Sequence, residues 1–320
     1  MPRILVVAPN WIGDALMAQP LLARLHQKIP GLQLDVLAPE WIAAVVRRMP
    51  EVDDVIVVPF RHGALQLRSR WNIGRQLRAR AYQQAIVLPN TWKSALVPFF
   101  ADIPLRSGYV GESRYGLLNL TYKNSKAPMP LHYARLSEAP GKELKDALPA
   151  ARLRAVPHQI EAVKRRFGVE ERYAVLCPGA EYGPAKRWPY FRELAGRLPM
   201  HAVILGSAND AEAARGIPGS NLVGKTTLDE AIDLIAGAGL VVSNDSGLMH
   251  IAAALGRPQV ALFGSSSPEH TPPLSAAARV LWLRVECSPC FQRECPLGHF
   301  RCMREMGVET VIKEIQNLGA

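Results

Sequence analysis

Five short stretches carry residues able to do chemistry, and each lies where an apolar run gives way to a polar turn. In the first, Asn244-Asp245-Ser246-Gly247 follows the run 240–243 and precedes a small-residue helix expected over 248–255. Such a helix start offers free backbone N–H groups and the positive end of a dipole, which suits a phosphate. Asp245 and Ser246 are equally ordinary caps, so the turn alone reads both ways. His250 lies one turn on, on the same face as Ser246 and Gly247, and either reaches a ligand or fills the core. The second stretch, Pro-Gly-Ala-Glu-Tyr-Gly-Pro-Ala-Lys-Arg-Trp-Pro at 178–189, is long for a strand-to-helix connection. Its Lys186 and Arg187 bring cations to a helix start, as a diphosphate would require. The third is the glycine turn 206–210 with Ser207. The fourth is 223–227, where Thr226 or Thr227 caps a helix with Glu230. The fifth is Pro9-Asn10-Trp11-Ile12-Gly13-Asp14. Asp14, just before a helix, is either a dipole partner or a general base. This loop has one glycine, Gly13, where a dinucleotide fingerprint needs three, which counts against an NAD or FAD oxidoreductase.

These stretches need strands to carry them. Apolar runs predict strands at 4–8, 32–37, 55–58, 85–88, 173–177, 201–205, 240–243, 259–263 and 280–283. Helices are expected between them at 15–28, 41–48, 69–81, 92–101, 190–198, from 211 onward, 228–236 and 248–255, and a last one at 308–318. Alternating strands and helices give doubly wound parallel sheets. The pattern weakens over 102–157, which reads as loops holding Arg106, Arg114, Lys123, His132 and Tyr133. Residues 140–157 hold three prolines and a glycine and read as a linker, giving domains 1–155 and 156–320. In the second domain the loops 178–189, 206–210, 223–227 and 244–247 would share one edge, where open parallel sheets bind ligands.

Charge is unevenly placed. Residues 1–160 hold 21 Lys and Arg against 11 Asp and Glu, and residues 161–320 hold 17 of each. Arg61, Arg68, Arg70, Arg75, Arg78 and Arg80 come with no acid among them. A basic half suits a polyanionic partner, whether nucleic acid, anionic membrane or phosphorylated substrate; the alternative is a solvated helix face. No usual nucleic-acid-binding signature is present, and little aromatic interleaving accompanies the arginines. No apolar run reaches the ~18 residues of a membrane span, and the N-terminus enters a strand without a signal-peptide core, so a cytoplasmic location is expected.

Four of the five cysteines, Cys287, Cys290, Cys295 and Cys302, crowd near His299. In a cytosolic protein this favours metal or redox chemistry over structural disulfides. The spacing lacks the paired C-x2-C of a zinc ribbon, so both a structural zinc and reduced thiols holding a compact loop stay open.

Together, Asn-Trp-Ile-Gly-Asp-Ala at 10–15, the loop 178–189 and Ser-Asn-Asp-Ser-Gly-Leu-Met-His-Ile-Ala-Ala-Ala-Leu-Gly at 243–256 make the chain resemble the family 9 glycosyltransferases. The cysteine-rich segment is also similar to members that build the lipopolysaccharide inner core. The resemblance implies a GT-B fold: two Rossmann-like α/β domains facing each other, with the C-terminal helix returning towards the first. It implies an inverting transfer of L-glycero-D-manno-heptose from ADP-heptose to heptosyl-Kdo2-lipid A, with no cofactor or metal. The first domain would bind the phosphorylated lipid A-core acceptor through Asn10, Gly13, Arg61, Lys93 and Arg114. The second would bind the donor through Gly179, Lys186, Ser207, Thr226, Asp245, Ser246, Gly247, Leu248, Met249 and His250. Asp14 matches the family's catalytic carboxylate, and Lys186 the lysine that neutralises the departing ADP. A carboxylate beside a diphosphate is repulsive, so Asp245 is expected on sugar hydroxyls. Glu181 and Tyr182 stand where some relatives have hydroxyl residues. Peripheral contact with the anionic inner membrane is expected, and nucleic acid is not. The alternatives are a family 9 transferase of other specificity or a non-catalytic nucleotide-sugar-binding protein.

Overall fold

A computed structural model describes residues 1–61, 63–144, 147–169 and 172–319. The chain forms two compact units, Met1–Ala150 and Ala151–Ala320. Residues 151–155, expected with the first domain, belong to the second. Leu153 is buried there and its N–H donates to Ala254 O at 3.0 Å. Lys145 and Asp146 of the expected linker lie outside the described residues.

The first unit holds β1 (Arg3–Val7), β2 (Gln33–Pro39), β3 (Asp54–Val58), β4 (Gln84–Val87), β5 (Leu105–Tyr109) and β6 (Leu120–Tyr122). They form one sheet in the order β3-β2-β1-β4-β5-β6, with every pair parallel. The second unit holds β7 (Tyr173–Cys177), β8 (His201–Ile204), β9 (Ser220–Asn221), β10 (Leu240–Asn244), β11 (Gln259–Phe263) and β12 (Ala278–Trp282). Its order, β12-β11-β10-β7-β8-β9, is the same arrangement repeated, again all parallel. Central strands read as apolar runs, Ile-Leu-Val-Val after Arg3 in β1 and Tyr-Ala-Val-Leu-Cys in β7, because helices cover both faces of the sheet. In each unit the strand order reverses once, between β1 and β4 and between β7 and β10. Open α/β sheets bind ligands just beyond the carboxyl ends of the strands at such a point.

Each unit has its own core. In the first, Leu5, Val7, Ala85 and Val87 pack with Val97, Ala101 and Ile103. In the second, Leu176, Ile204, Val242 and Leu262 pack with Trp188, Phe191, Met303 and Met306. Val311 and Ile315 of the last helix, Val308–Asn317, close that core.

The stretch 102–157 is more ordered than its sequence suggests, since it contains β5, β6 and a helix at Met129–Ala134. A further helix, Pro157–Phe167, starts at the last proline of the expected linker and ends at Gly168, whose φ of +61° suits the left-handed stop. The helix expected from 211 is instead a single 3₁₀ turn, Ala208–Asp210. Gly216, at φ +70°, and Pro218 follow too closely for a longer helix to form.

Candidate active site

The second unit's reversal point is built from the loop after β7 and the turn after β10. Asn244, fully buried at the end of β10, ties the two together. Its Oδ1 accepts from Trp188 N–H at 3.0 Å and its Nδ2 donates to Pro178 O at 2.8 Å. This docks the long loop so that Lys186 Nζ stands 2.5 Å from Asp245 Oδ2, with side chains 15% and 5% exposed. Ser266 Oγ donates to the same oxygen at 2.5 Å. The Lys186 ammonium also lies over the Tyr182 ring, 4.8 Å from its centroid. Asp245 is thus charge-compensated, so the expected repulsion towards a diphosphate is relieved.

The helix after this turn is Gly247–Ala254, with Ser246 as its N-cap residue. Ser246 makes no side-chain cap bond, so the N–H groups of the first turn stay available to a ligand. Leu248 is half-buried beside them. Met249 is fully buried against Ala261, Phe263 and Trp282, so only its backbone can meet a donor. His250 is 5% exposed. Burial pushes its imidazole down to about 4; the nearby Asp245 carboxylate opposes this and the Lys186 ammonium adds to it. The ring is therefore neutral at working pH, and it lies within the field of the Lys186–Asp245 pair rather than in an apolar core alone.

The other two loops share this edge because β8 and β9 run parallel to β7. Ser207 is spent on a local cap, its N–H and Oγ both donating to Asp210 Oδ2 at 2.9 and 2.8 Å. Gly179 is required by this packing, since a Cβ there would fall 2.1 Å from Asp210 Cγ. Thr227, not Thr226, forms the capping box with Glu230, which leaves the half-buried Thr226 hydroxyl outside that cap.

The cysteine segment braces the lysine loop. Ala185 N–H donates to Arg293 O at 3.0 Å, Tyr182 OH to Phe291 O at 2.6 Å, and Phe291 N–H to Ser265 O at 2.7 Å. None of the five cysteines is joined in a disulfide. Cys287, Cys290, Cys295 and Cys302 line one small cavity with His299, Ala185 and Ser265. Among the described residues no three His, Cys, Asp or Glu side chains stand together in a metal-ligating arrangement.

In the first unit Asp14 sits in the first turn of the helix Ile12–Lys28, just beyond β1, half-exposed. Tyr133 OH donates to its Oδ1 at 3.2 Å. Burial first, and then the Asp14 carboxylate, hold the Tyr133 phenol far above its ordinary value, so it remains a proton donor. The helix Met129–Ala134 that carries Tyr133 is fixed by Tyr109, whose ring stacks on His132 and whose OH donates to His132 O. Arg24 pairs with Glu138 at 2.8 Å, and Lys28 with the same carboxylate, locking the Asp14 helix to the turn after Tyr133.

Asn10 is exposed, its carbonyl held by Trp41 Nε1 at 2.8 Å, and Gly13 is half-buried in the same helix start. Lys93, half-buried, follows β4 at the same edge, and Arg61 follows β3 and is exposed. Arg114, expected to touch acceptor, does not face outward. It is 2% exposed and donates to Tyr109 O at 3.1 and 2.6 Å, to Pro89 O at 2.5 Å, and to Thr91 O and Ser94 Oγ at 3.3 Å. Burial pushes its guanidinium down to about 10. Its role is to hold the loop that presents Lys93. The arginine cluster divides likewise. Arg70 lies over the Phe60 ring and donates to Leu65 O and Lys93 O, Arg78 pairs with Asp102, and Arg80 with Asp35 and Asp54. Arg61, Arg68 and Arg75 remain outward. Sequence reasoning missed Tyr133 as a partner of Asp14, and also Ser266. For the serine a signal was present: Ser265-Ser266-Ser267 comes one glycine after a strand at the ligand-binding edge.

The sequence model described as Glycosyltransferase family 9 (heptosyltransferase) matches residues 70–301. The chain is 40% identical to lipopolysaccharide heptosyltransferase 2 of Escherichia coli K12, across 99% of this chain and 98% of that one. It is 44% identical to lipooligosaccharide heptosyltransferase 2 of Haemophilus influenzae, across 88% of each. The solved structure of E. coli ADP-heptose lps heptosyltransferase II superposes with a TM-score of 0.88 at 38% identity, covering 99% of this chain and 98% of that one. The two doubly wound units are those of a GT-B glycosyltransferase, and the chain belongs to glycosyltransferase family 9, the heptosyltransferases.

Proposed function

We propose that the protein moves L-glycero-D-manno-heptose from ADP-heptose to heptosyl-Kdo2-lipid A, inverting the anomeric centre in one displacement without a metal. The observation that carries this reading is the Lys186–Asp245 pair beside the uncapped start of the helix Gly247–Ala254. A diphosphate seated there meets N–H groups of Gly247, Leu248 and Met249 and the Lys186 ammonium, with neutral His250 close by. Thr226 and the Gly224-Lys225 backbone border the adenosine, and Asp245 and Ser266 remain for sugar hydroxyls.

Asp14 takes the proton from the acceptor hydroxyl as its oxygen forms the bond to the anomeric carbon. The bond from that carbon to the ADP oxygen breaks, and its electron pair leaves with ADP. The Tyr133 hydroxyl donates to Asp14 and helps to aim it. Lys186 meets charge that grows only as the bond breaks, so its effect falls on the transition state. Asn10, Gly13, Arg61 and Lys93 contact the acceptor's sugars and phosphates, and the basic first unit holds the enzyme against the anionic membrane that carries the acceptor. The similar proteins named lipopolysaccharide heptosyltransferase 2 and ADP-heptose lps heptosyltransferase II support an ADP-heptose donor and a lipopolysaccharide acceptor.

The test is a donor and acceptor panel with purified protein. ADP-heptose with heptosyl-Kdo2-lipid A should give product of inverted configuration, undiminished by chelator. Preference for another activated sugar, or for an acceptor lacking the first heptose, would replace this specificity with that of another family 9 transferase.

A further inference from the structure

Four of the protein's six tryptophans lie in the first unit, and all four are exposed: Trp11 at 49%, Trp41 at 45%, Trp71 at 44% and Trp92 at 40%. Each follows the carboxyl end of a different strand, β1, β2, β3 and β4 in turn. Tyr115, 70% exposed, follows β5. The strands are parallel, so these rings share one edge of the sheet. Leu65 and Leu67, also exposed, flank the start of the helix Leu67–Leu77, and Leu67 and Trp71 are one turn apart on one face.

The charge at this edge is one-sided. From residue 55 to 101 there is no Asp or Glu, while Arg61, Arg68 and Arg75 stand exposed and Lys93 is half-exposed. The Arg75 guanidinium lies 5.1 Å from the Trp71 ring centroid. The carboxylates at the edge are Asp14, Glu40 and Glu112, and Glu112 is occupied by the Trp92 N–H at 3.0 Å. Among the described residues no helix is long and apolar enough to cross a membrane. Amphipathic rings interleaved with solvent-facing cations on one edge have the composition of a surface that lies in the headgroup layer of an anionic bilayer.

We propose that the carboxyl edge of the first sheet, centred on Leu67, Arg68, Trp71 and Arg75, docks onto an anionic phospholipid bilayer. This rests on the reading that the acceptor is lipid-anchored, and it specifies the surface. Asp14 lies on the same edge, so docking brings the candidate base to the layer where the acceptor's sugars emerge. The rings enter the headgroup zone and the arginines meet lipid phosphates, which requires both sets of residues.

The full-length chain is sedimented with vesicles of phosphatidylethanolamine and phosphatidylglycerol, and with phosphatidylcholine alone. It should pellet with the anionic vesicles only, and brominated acyl chains should quench its tryptophan emission. Leu67→Ser with Trp71→Ala should lower the partition about tenfold or more. Arg68→Gln with Arg75→Gln should lower it about tenfold to thirtyfold. Both pairs are at the surface, and transfer to a water-soluble, delipidated acceptor should be unchanged in each. Unaltered partition of the Leu67/Trp71 pair would overturn the proposal in favour of plain charge adsorption. A raised KM for the soluble acceptor with intact vesicle binding would mark a saccharide platform instead, and equal binding to DNA at the same salt would mark a general polyanion surface. Protein that pellets but transfers nothing fails the functional reading alone; protein that transfers but does not pellet fails this one alone.

Discussion

Lys186 Nζ and Asp245 Oδ2 stand 2.5 Å apart, brought from two loops that flank the reversal of strand order in the second sheet. The pair is mostly buried and shares its oxygen with Ser266. A buried charge that loses its partner costs about 3–5 kcal/mol, so this lysine is held in place by the carboxylate until a ligand competes for it. Lys186→Ala should reduce transfer about 10²–10³-fold, the scale of removing one preorganised charge contact. Asp245→Asn should lose both activity and stability, with ADP restoring part of the stability. A double-mutant cycle on transfer rate should show coupling of about 0.5–3 kcal/mol. Strictly additive effects would mean that the two side chains act separately.

Tyr133 gives Asp14 its aim. Tyr133→Phe removes a donor that orients the carboxylate and should give a moderate fall in kcat with little change in donor affinity. An unchanged kcat would show that the 3.2 Å bond has no part in turnover.

His250 makes stability depend on pH. Its folded value is about 4, below the ordinary 6.5, so between these values the unfolded chain binds a proton that the folded chain refuses. Stability should therefore fall as pH drops from 6.5 towards 4, by roughly 3 kcal/mol in all. Urea denaturation of the wild type and of His250→Gln across this window measures it. The variant should show a flatter profile; identical slopes would place the acid sensitivity elsewhere.

Arg114 and Arg61 should separate cleanly. Arg114→Ala leaves several buried carbonyls without donors and should destabilise the first unit by about 2–4 kcal/mol. Arg61→Ala should leave the melting temperature alone and raise the acceptor KM. The reverse pattern would restore Arg114 to the acceptor surface.

The legible parts of the sequence were those with one dominant signal. Strands β1, β4, β7, β10 and β11 are apolar on both faces and announce themselves, and with them came the loops at their carboxyl ends. β5, Leu-Arg-Ser-Gly-Tyr, carries an arginine whose guanidinium donates to Ile103, Leu117 and Gly116 carbonyls, and that polarity hid the strand. β9 has only two residues, too few for any period. Arg114 and Arg61 are indistinguishable as letters, since burial against carbonyls is decided by tertiary packing. Tyr133 went unseen because its partner lies 119 residues away. The cysteines were noticed, but not that their segment supports the lysine loop.

Asp14 is the residue on which the proposed transfer depends most directly. The measurement is transfer from ADP-heptose to heptosyl-Kdo2-lipid A by the wild type and by Asp14→Asn, with ADP affinity and melting temperature taken on the same preparations. The variant should lose about 10²–10⁴-fold in kcat, with ADP binding and stability preserved. Turnover within a few-fold of the wild type would contradict the proposed role of Asp14.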